Sequence, residues 1–256
     1  MSPDRPLNAD DLLPVLDWYR AVGVDLAVNE EPVDRFASSA VAPPPRAAAE
    51  PVAAAAAPAA PAETRDLAAG ARSMDELRAV MEAYDGCALK KRATQLCFAD
   101  GNPEAEIMLV GEGPGEQEDL AGKPFVGRAG QLLDRMLAAI GLDRTKVFIA
   151  NMVPWRPPGN REPSPEELAL CLPFLYRQVE LVAPKILVTL GNVPTRTLFN
   201  TTQGITRTRG QWRELTINGH SMQALPMLHP AYLLRMPGSK ALAWRDLLEL
   251  KLRLDS

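Results

Sequence analysis

A loop that combines glycines with carboxylates is the stretch of this sequence best suited to chemistry. It runs from Gly111 to Asp119 and directly follows the apolar run Ile107 to Val110, which is typical of a buried strand. Ligands in open α/β sheets bind outside the carboxyl ends of the strands, so the loop lies where a site is expected. It lacks the Gly-Lys-Ser/Thr ending of a nucleotide-binding loop, and its carboxylates would repel a phosphate. We therefore expect it to hold a carboxylate or a water molecule near a neutral group.

Strands and helices alternate along residues 71–256, and this alternation predicts how such loops are positioned. Short apolar runs predict four strands, which end near Val110, Val153, Leu190 and Leu228. Helical patterns with capping signals lie between them. The alternation predicts an α/β fold with three α/β/α layers around a mostly parallel, four-stranded sheet.

The predicted strand ends bring chemically useful side chains to one edge of the sheet. They present Glu112 and Gly113, then Asn151, and finally His229, while a second glycine-containing loop adds Phe125. An asparagine side chain can read a polar base edge with two paired hydrogen bonds, and an aromatic ring can stack on a flat ring. These residues predict a pocket for a flat, polar ring.

The N-terminal part of the chain is expected to be separate from this domain. Residues 8–22 have the apolar spacing of an amphipathic helix, whereas the following stretch is dominated by alanine and proline. We predict a helical segment over 1–36 that could dock a protein partner, a disordered linker over 37–70, and a folded domain over 71–256.

The net charge of −4 is distributed unevenly over the 256 residues. Residues 1–66 carry a net charge of −6, which leaves +2 for the remainder. The segment 196–213 contains several arginines and Trp212 but no acidic residue. It predicts a basic face for a polyanion that includes Arg207 and Arg209, with an ordinary solvated surface as the alternative.

The composition also indicates the cellular compartment in which the protein is expected. No apolar run is long enough to span a membrane, and the first residues do not form a secretory signal. Three widely spaced cysteines are an odd number, which suits a reducing cytosol better than a disulfide framework. We expect a cytoplasmic protein, in the bacterial cytosol or nucleoid, without a membrane partner.

Several motifs, in a fixed order over roughly residues 71–256, make the chain resemble the family 4 uracil-DNA glycosylases. The motifs are Gly111-Glu112-Gly113-Pro114-Gly115, Glu118-Asp119, Gly122-x-Pro124-Phe125-Val126-Gly127-x-Ala129-Gly130, Asn151, Arg156-Pro157-Pro158-Gly159-Asn160-Arg161, Leu190-Gly191 and His229-Pro230-Ala231-Tyr232-Leu233-Leu234-Arg235. One of these motifs alone would be weak evidence, but together they are specific.

The resemblance implies hydrolysis of the N-glycosidic bond between uracil and deoxyribose in DNA, after the base has been flipped out of the stack. It implies that Phe125 stacks on the uracil and that Asn151 reads its O4 and N3–H edge. His229 would donate a hydrogen bond to O2 as charge develops, and Glu112 would position or activate water. The backbone at Gly113 would hold the base.

The resemblance also implies where the DNA lies. The segment from Tyr232 to Arg235 would contact the minor groove, with Leu233 or Leu234 as a wedge between bases. Family analogy suggests a monomer whose partner is uracil-containing DNA.

The chain departs from the family at the cysteines that hold an iron–sulfur cluster in cluster-bearing members. Of the four ligand positions, only Cys87 and Cys171 carry cysteine, whereas Tyr84 and Trp155 occupy the other two. We therefore predict that no [4Fe-4S] cluster or other metal is bound, and that the two aromatic side chains fill the vacated volume.

Two alternative functions stay open at this point. One alternative is that a chain without its cluster is a non-catalytic module that binds DNA or uracil. A nucleotide-binding regulator is disfavoured by the acidic loop. Covalent capture of DNA, known in a related type of the superfamily, is disfavoured because the stretch Trp155 to Arg161 contains no histidine.

Overall fold

The structure is a computed structural model that describes residues 60–255. The helix predicted over residues 8–22 and most of the predicted linker lie outside the described residues.

Six strands form one sheet in the described part of the chain. They are β1 (Asp100–Gly101), β2 (Ile107–Gly111), β3 (Val147–Asn151), β4 (Ile186–Leu190), β5 (Arg213–Ile217) and β6 (His220–Met227). Their order across the sheet is β1-β3-β2-β4-β6-β5, and the four central strands are parallel to one another. This arrangement confirms the predicted α/β fold and its parallel core.

The two edge strands correct the predicted count of four strands. β1 pairs antiparallel with β3, and β5 pairs antiparallel with β6. β1 has only two residues, too few to show a periodic pattern. β5 and β6 are joined at Asn218 and Gly219, both at positive φ (47° and 86°), and Asn-Gly is a strong hairpin signal that the sequence analysis did not use.

The α-helices of residues 60–255 lie between and after the strands. They are α1 (Ala62–Gly70), α2 (Met74–Ala83), α3 (Glu116–Ala121), α4 (Arg128–Ala138), α5 (Pro165–Val182), α6 (Asn192–Leu198), α7 (Ile205–Thr208), α8 (Pro230–Arg235) and α9 (Lys240–Leu254). None of them combines the length and apolar character that crossing a membrane requires.

Helices cover both faces of the sheet, so β2, β3 and β4 are buried along their whole length. Successive residues of β2 belong to different cores. Ile107 and Leu109 pack in the core that also contains side chains of α4 and α9, whereas Met108 and Val110 pack in the core shared with α5. This sandwich fixes the register of the central strands, and with it the height at which each strand ends.

The start of α5 shows how the local sequence determines an element. The Ser164 hydroxyl accepts a hydrogen bond from Glu167 N at 3.2 Å, and Ser164 N donates to the Glu167 carboxylate at 2.7 Å. This is the capping box that the sequence predicts. The helix then continues through Pro173.

Helix α1 corrects the predicted boundary of the folded domain at residue 71. It lies within the predicted linker, yet Thr64 and Ala68 are buried. Arg177 of α5 also donates to the carbonyl of Ala71 at 2.8 Å. Pro61 is the last proline before the helix, and the residues after it are good helix formers, so the Ala/Pro-rich composition ends earlier than the prediction assumed.

Candidate active site

The carboxyl ends of the four parallel strands open into one cleft of about 720 Å³. Its lining includes Glu112 and Gly113 after β2, Asn151 at the end of β3, and His229 after β6; Phe125 joins them from the loop before α4. The structure therefore places the five pocket residues predicted from the sequence in a single cleft. The sheet produces this convergence because parallel strands end at the same edge.

Asn151 carries a polar atom that the described residues leave unsatisfied. The residue is only 6% exposed, and its Oδ1 atom has no hydrogen-bond partner among residues 60–255. Buried polar atoms in folded proteins nearly always have a partner. An N–H donor from a ligand in the cleft would satisfy this oxygen.

Gly111 provides the space in which Asn151 and Phe125 approach each other. A Cβ atom at position 111 would lie 2.5 Å from Asn151 Oδ1 and 2.6 Å from Cζ of Phe125. A larger residue would displace one of these two side chains, so the last residue of β2 has to be glycine for this pocket to keep its shape.

Phe125 and His229 form the aromatic part of the pocket. Their ring centroids are 5.5 Å apart, and their planes are inclined by 29°. Phe125 is buried and has a φ of 55°, in the left-handed region that non-glycine residues rarely adopt.

The protonation state of His229 follows from its surroundings. Its Nδ1 atom accepts a hydrogen bond from Ala231 N at 3.0 Å, so in the neutral ring the proton is on Nε2. Burial, together with the positive charge of Arg235, lowers the pKa of His229 to about 4. At neutral pH the ring is therefore uncharged, and its Nε2–H group is available as a hydrogen-bond donor.

The pKa of the Glu112 carboxyl group is raised, whereas that of His229 is lowered. Burial raises its pKa to about 6, and the neighbouring Glu162 carboxylate adds to the effect. Glu162 also lines the cleft, which the sequence analysis did not anticipate. Glu112 is thus mostly ionised at neutral pH, but at a cost in stability.

Glu118 and Asp119 have structural contacts in the same loop. Glu118 Oε1 accepts a hydrogen bond from Gly127 N at 2.8 Å, which ties α3 to the loop before α4. The Asp119 carboxylate accepts two hydrogen bonds, one from the backbone amide and one from the hydroxyl of Thr94, each at 2.8 Å. The Glu118 contact fixes the two glycine-containing loops relative to each other, and the Asp119 contacts attach α3 to the segment at Thr94.

Comparison with known proteins agrees with this geometry. Residues 98–248 match the family model of the uracil DNA glycosylase superfamily. A type-4 uracil-DNA glycosylase of Saccharolobus solfataricus is 41% identical over 175 residues, which are 66% of this chain and 81% of that protein. The chain belongs to the type-4 uracil-DNA glycosylase family.

Two further relatives carry the same description. The type-4 uracil-DNA glycosylase of Archaeoglobus fulgidus is 41% identical over 171 residues, or 64% of this chain and 85% of the relative. The type-4 uracil-DNA glycosylase of Thermotoga maritima is 42% identical over 153 residues, or 58% of this chain and 77% of the relative.

The predicted DNA-facing segment of this family member is helix α8. Tyr232 and Arg235, which the sequence predicts at the minor groove, both line the cleft. Leu233 is only 1% exposed and packs in the core, which corrects its prediction as a wedge; Leu234 is partly buried against the same core. Met236, which follows α8 and is 53% exposed, is an apolar candidate that the sequence analysis missed.

The two arginines predicted to bind DNA differ in their surroundings. Arg207 is exposed on α7, next to residues that line the cleft. Arg209 instead forms an ion pair with the buried Asp246 and donates to the carbonyl of Leu242 at 2.6 Å. Its guanidinium group is committed within the domain, so the structure corrects its prediction as a DNA contact.

The four positions compared above with the cluster ligands of the family are buried and lie in one hydrophobic core. Tyr84, Cys87, Trp155 and Cys171 are all buried in one cluster, and the Tyr84 ring lies 5.4 Å from that of Phe174. Gly86 permits this packing, since a Cβ atom there would lie 2.3 Å from the Tyr84 hydroxyl. Two thiols and two aromatic rings do not form the four-thiolate set of such a cluster, so these residues do not fit it.

Glu112→Gln tests the electrostatics of the cleft. Because the folded state disfavours the ionised carboxyl, the amide should raise the free energy of unfolding at pH 8 by on the order of 1 kcal/mol. Most of the gain should be lost at pH 4, because the carboxyl is then largely protonated in the folded state and mostly protonated in the unfolded state. Urea unfolding at the two pH values measures this.

Glu116→Gln is the matched control, because Glu116 is exposed on α3 and loses the same charge. A gain for Glu112→Gln that is equal at pH 4 and pH 8, or a loss at pH 8, would contradict the proposed burial of charge.

Proposed function

We propose that the chain hydrolyses the N-glycosidic bond of deoxyuridine in DNA, which releases uracil and leaves an abasic site. The observation that carries the proposal is the buried, unpartnered Oδ1 atom of Asn151, in a cleft shared with Phe125 and His229. Family membership and the type-4 relatives support the same activity.

Recognition of uracil follows from the hydrogen-bonding groups of Asn151. Its Oδ1 atom would accept from the N3–H group of uracil, and its amide would donate to O4. Cytosine has an acceptor at N3 and a donor at its amino group, so it would leave both groups of Asn151 unsatisfied in a buried site. Phe125 would stack on the base after the base has been flipped out of the DNA stack. Base flipping costs least free energy when the base is mispaired or in a single strand.

His229 would stabilise the departing base. As the glycosidic bond breaks, negative charge develops on the uracil, and the Nε2–H group would donate a hydrogen bond to O2. A preorganised donor at such a position contributes about 10²- to 10³-fold in rate. The low pKa of His229 keeps the ring neutral, so its role is that of a hydrogen-bond donor rather than a cation.

Glu112 would act on the opposite side of the breaking bond. Its carboxylate would orient a water molecule toward the sugar carbon and would stabilise the positive charge of an oxocarbenium-like sugar. A pKa of about 6 leaves the group ionised at neutral pH while making it a stronger base than an exposed glutamate.

The remaining contacts would position the DNA. Arg235 and Arg207 would contact phosphates, Tyr232 would line the entrance, and Leu234 or Met236 would enter the base stack. The protein would act as a monomer in the cytosol or nucleoid, a compartment that agrees with its three buried free thiols. The N-terminal segment would recruit a protein partner.

Excision by the wild type and two pocket variants tests the proposal. Labelled oligonucleotides with one deoxyuridine, single-stranded or paired with G or A, would be cleaved by alkali after excision. We expect wild-type excision and a loss of about 10²-fold or more for His229→Ala and for Asn151→Ala.

A matched control for these variants is His220→Ala. His220 lies on β6 away from the cleft, and its Nε2 atom is hydrogen-bonded to the carbonyl of Pro184. The His220→Ala variant should keep near-wild-type activity. Absence of excision by the wild type, with DNA binding retained, would favour a non-catalytic uracil or DNA reader.

We also propose that the protein works without an iron–sulfur cluster. Support comes from the packing of Tyr84 and Trp155 at two of the four ligand positions, and none of these four positions is among the residues that line the cleft. Among residues 60–255, no group of three or more histidine, cysteine, aspartate or glutamate side chains is arranged to hold a metal ion.

Iron and acid-labile sulfide analysis of anaerobically purified protein tests this second proposal. We expect substoichiometric iron and sulfide, no absorption band in the visible range, and excision that survives a chelator. Stoichiometric iron and sulfide that are retained through gel filtration would contradict it.

A further inference from the structure

The backbone conformation of Phe125 requires support from outside its own loop. The residue lies at a φ of 55°, although it is not a glycine. Such conformations persist where the surrounding structure over-determines them, and they are frequent at functional sites. The neighbours of the Phe125 backbone therefore show what holds the ring in the cleft.

Arg144 binds the two carbonyl groups on either side of this residue. Its Nη1 atom donates to the carbonyl of Pro124 at 3.1 Å, and its Nη2 atom donates to the carbonyl of Phe125. Each carbonyl belongs to a rigid, planar peptide unit. Fixing the planes before and after the Cα atom of Phe125 fixes its φ and ψ angles, and hence the direction of its side chain.

Two carboxylates hold the Arg144 side chain in this position. Its Nη1 atom lies 2.6 Å from Oδ2 of Asp100, and its Nε atom lies 2.8 Å from Oδ1 of Asp134. The planar guanidinium group thus connects β1, α4 and the Phe125 loop. A lysine could not make this set of contacts, because its ammonium group is a compact charge rather than a fork.

Gly130 supports the Phe125 carbonyl from the other side. A Cβ atom at position 130 would lie only 1.6 Å from that carbonyl oxygen and 2.0 Å from its carbon. Gly130 lies in the first turn of α4, where alanine would otherwise favour the helix. Because residue 130 is a glycine, the Phe125 carbonyl can occupy the position in which it accepts a hydrogen bond from Arg144.

We propose that Arg144 is a positioning residue for uracil excision, which acts by holding the Phe125 ring in its stacking orientation. The inference rests on the proposed function. Arg144 precedes β3, whereas the base-reading Asn151 ends it, so Arg144 is not among the residues that line the cleft. It would affect the reaction only through the backbone of Phe125.

Single-turnover kinetics on a single-stranded deoxyuridine oligonucleotide test this role. Arg144→Lys and Arg144→Met should lower the excision rate by about tenfold or more, because small displacements of a positioning group have large effects on rate. The substrate concentration at half-maximal rate should change by less than about twofold, because the DNA contacts proposed above lie on α7 and α8. Gly130→Ala should resemble Arg144→Met, and Arg135→Met, which removes an exposed arginine of α4, should behave as wild type.

A double-mutant cycle separates positioning from a general loss of structure. In the Phe125→Ala background, Arg144→Met should change the rate by less than about twofold, since the ring that it positions is gone. An equal loss in the presence and absence of the Phe125 ring would overturn the proposal.

Hydrogen exchange supplies a readout that does not depend on activity. Peptides that span residues 123–130 should exchange faster in Arg144→Lys than in wild type and Arg135→Met, while peptides from the central strands should be unchanged. Unchanged exchange of this loop would overturn the proposal even if the enzyme were active. If the wild type did not excise uracil, the proposed function would fail, and the exchange measurement would still decide whether Arg144 holds the loop.

Discussion

The buried side-chain oxygen of Asn151, Oδ1, is the constraint around which the cleft is arranged. A buried acceptor that lacks a donor costs about 1–3 kcal/mol, so the folded protein keeps this atom at the expense of stability. Gly111 leaves room for it, the Phe125 ring covers one side of the pocket, and the end of β3 fixes its height in the sheet. A ligand with a matching N–H group would supply the missing hydrogen bond, and this is the basis of the base selection that we propose.

The same burial determines the two ionisable groups of the cleft. It disfavours charge, and therefore lowers the pKa of His229 to about 4 and raises that of Glu112 to about 6. At neutral pH the first group is an uncharged donor and the second is a carboxylate with enhanced basicity. Burial thus favours the neutral ring of His229 and raises the basicity of Glu112, which stays ionised at neutral pH because its pKa is still below 7. The proposed hydrolysis uses side chains of the cleft and none from the region of Tyr84 and Trp155, where aromatic side chains are packed in a buried core.

The sequence predicted those parts of the fold that depend on local pattern. Apolar runs identified the four parallel strands, and the Ser164 capping box identified the start of α5, because both signals lie within a few residues. The polar residues at the strand ends could be placed together because parallel strands end at the same edge of a sheet. The role of Arg209 could not be predicted, since it depends on Asp246, which lies 37 residues further along the chain. The burial of Leu233 and the contacts of Arg144 with the Phe125 loop likewise depend on tertiary packing.

The most direct test of this account compares uracil with a base in which a methyl group replaces the N3–H donor. Single-turnover excision would be measured on identical single-stranded oligonucleotides that contain deoxyuridine or N3-methyldeoxyuridine, with wild type and Asn151→Ala. We expect the wild type to excise the methylated base at least about 100-fold more slowly, because it cannot donate to Asn151 Oδ1. Asn151→Ala should be slow on uracil and should lose most of this discrimination. Equal wild-type rates on the two bases would contradict the central claim that the unpartnered oxygen of Asn151 selects the substrate.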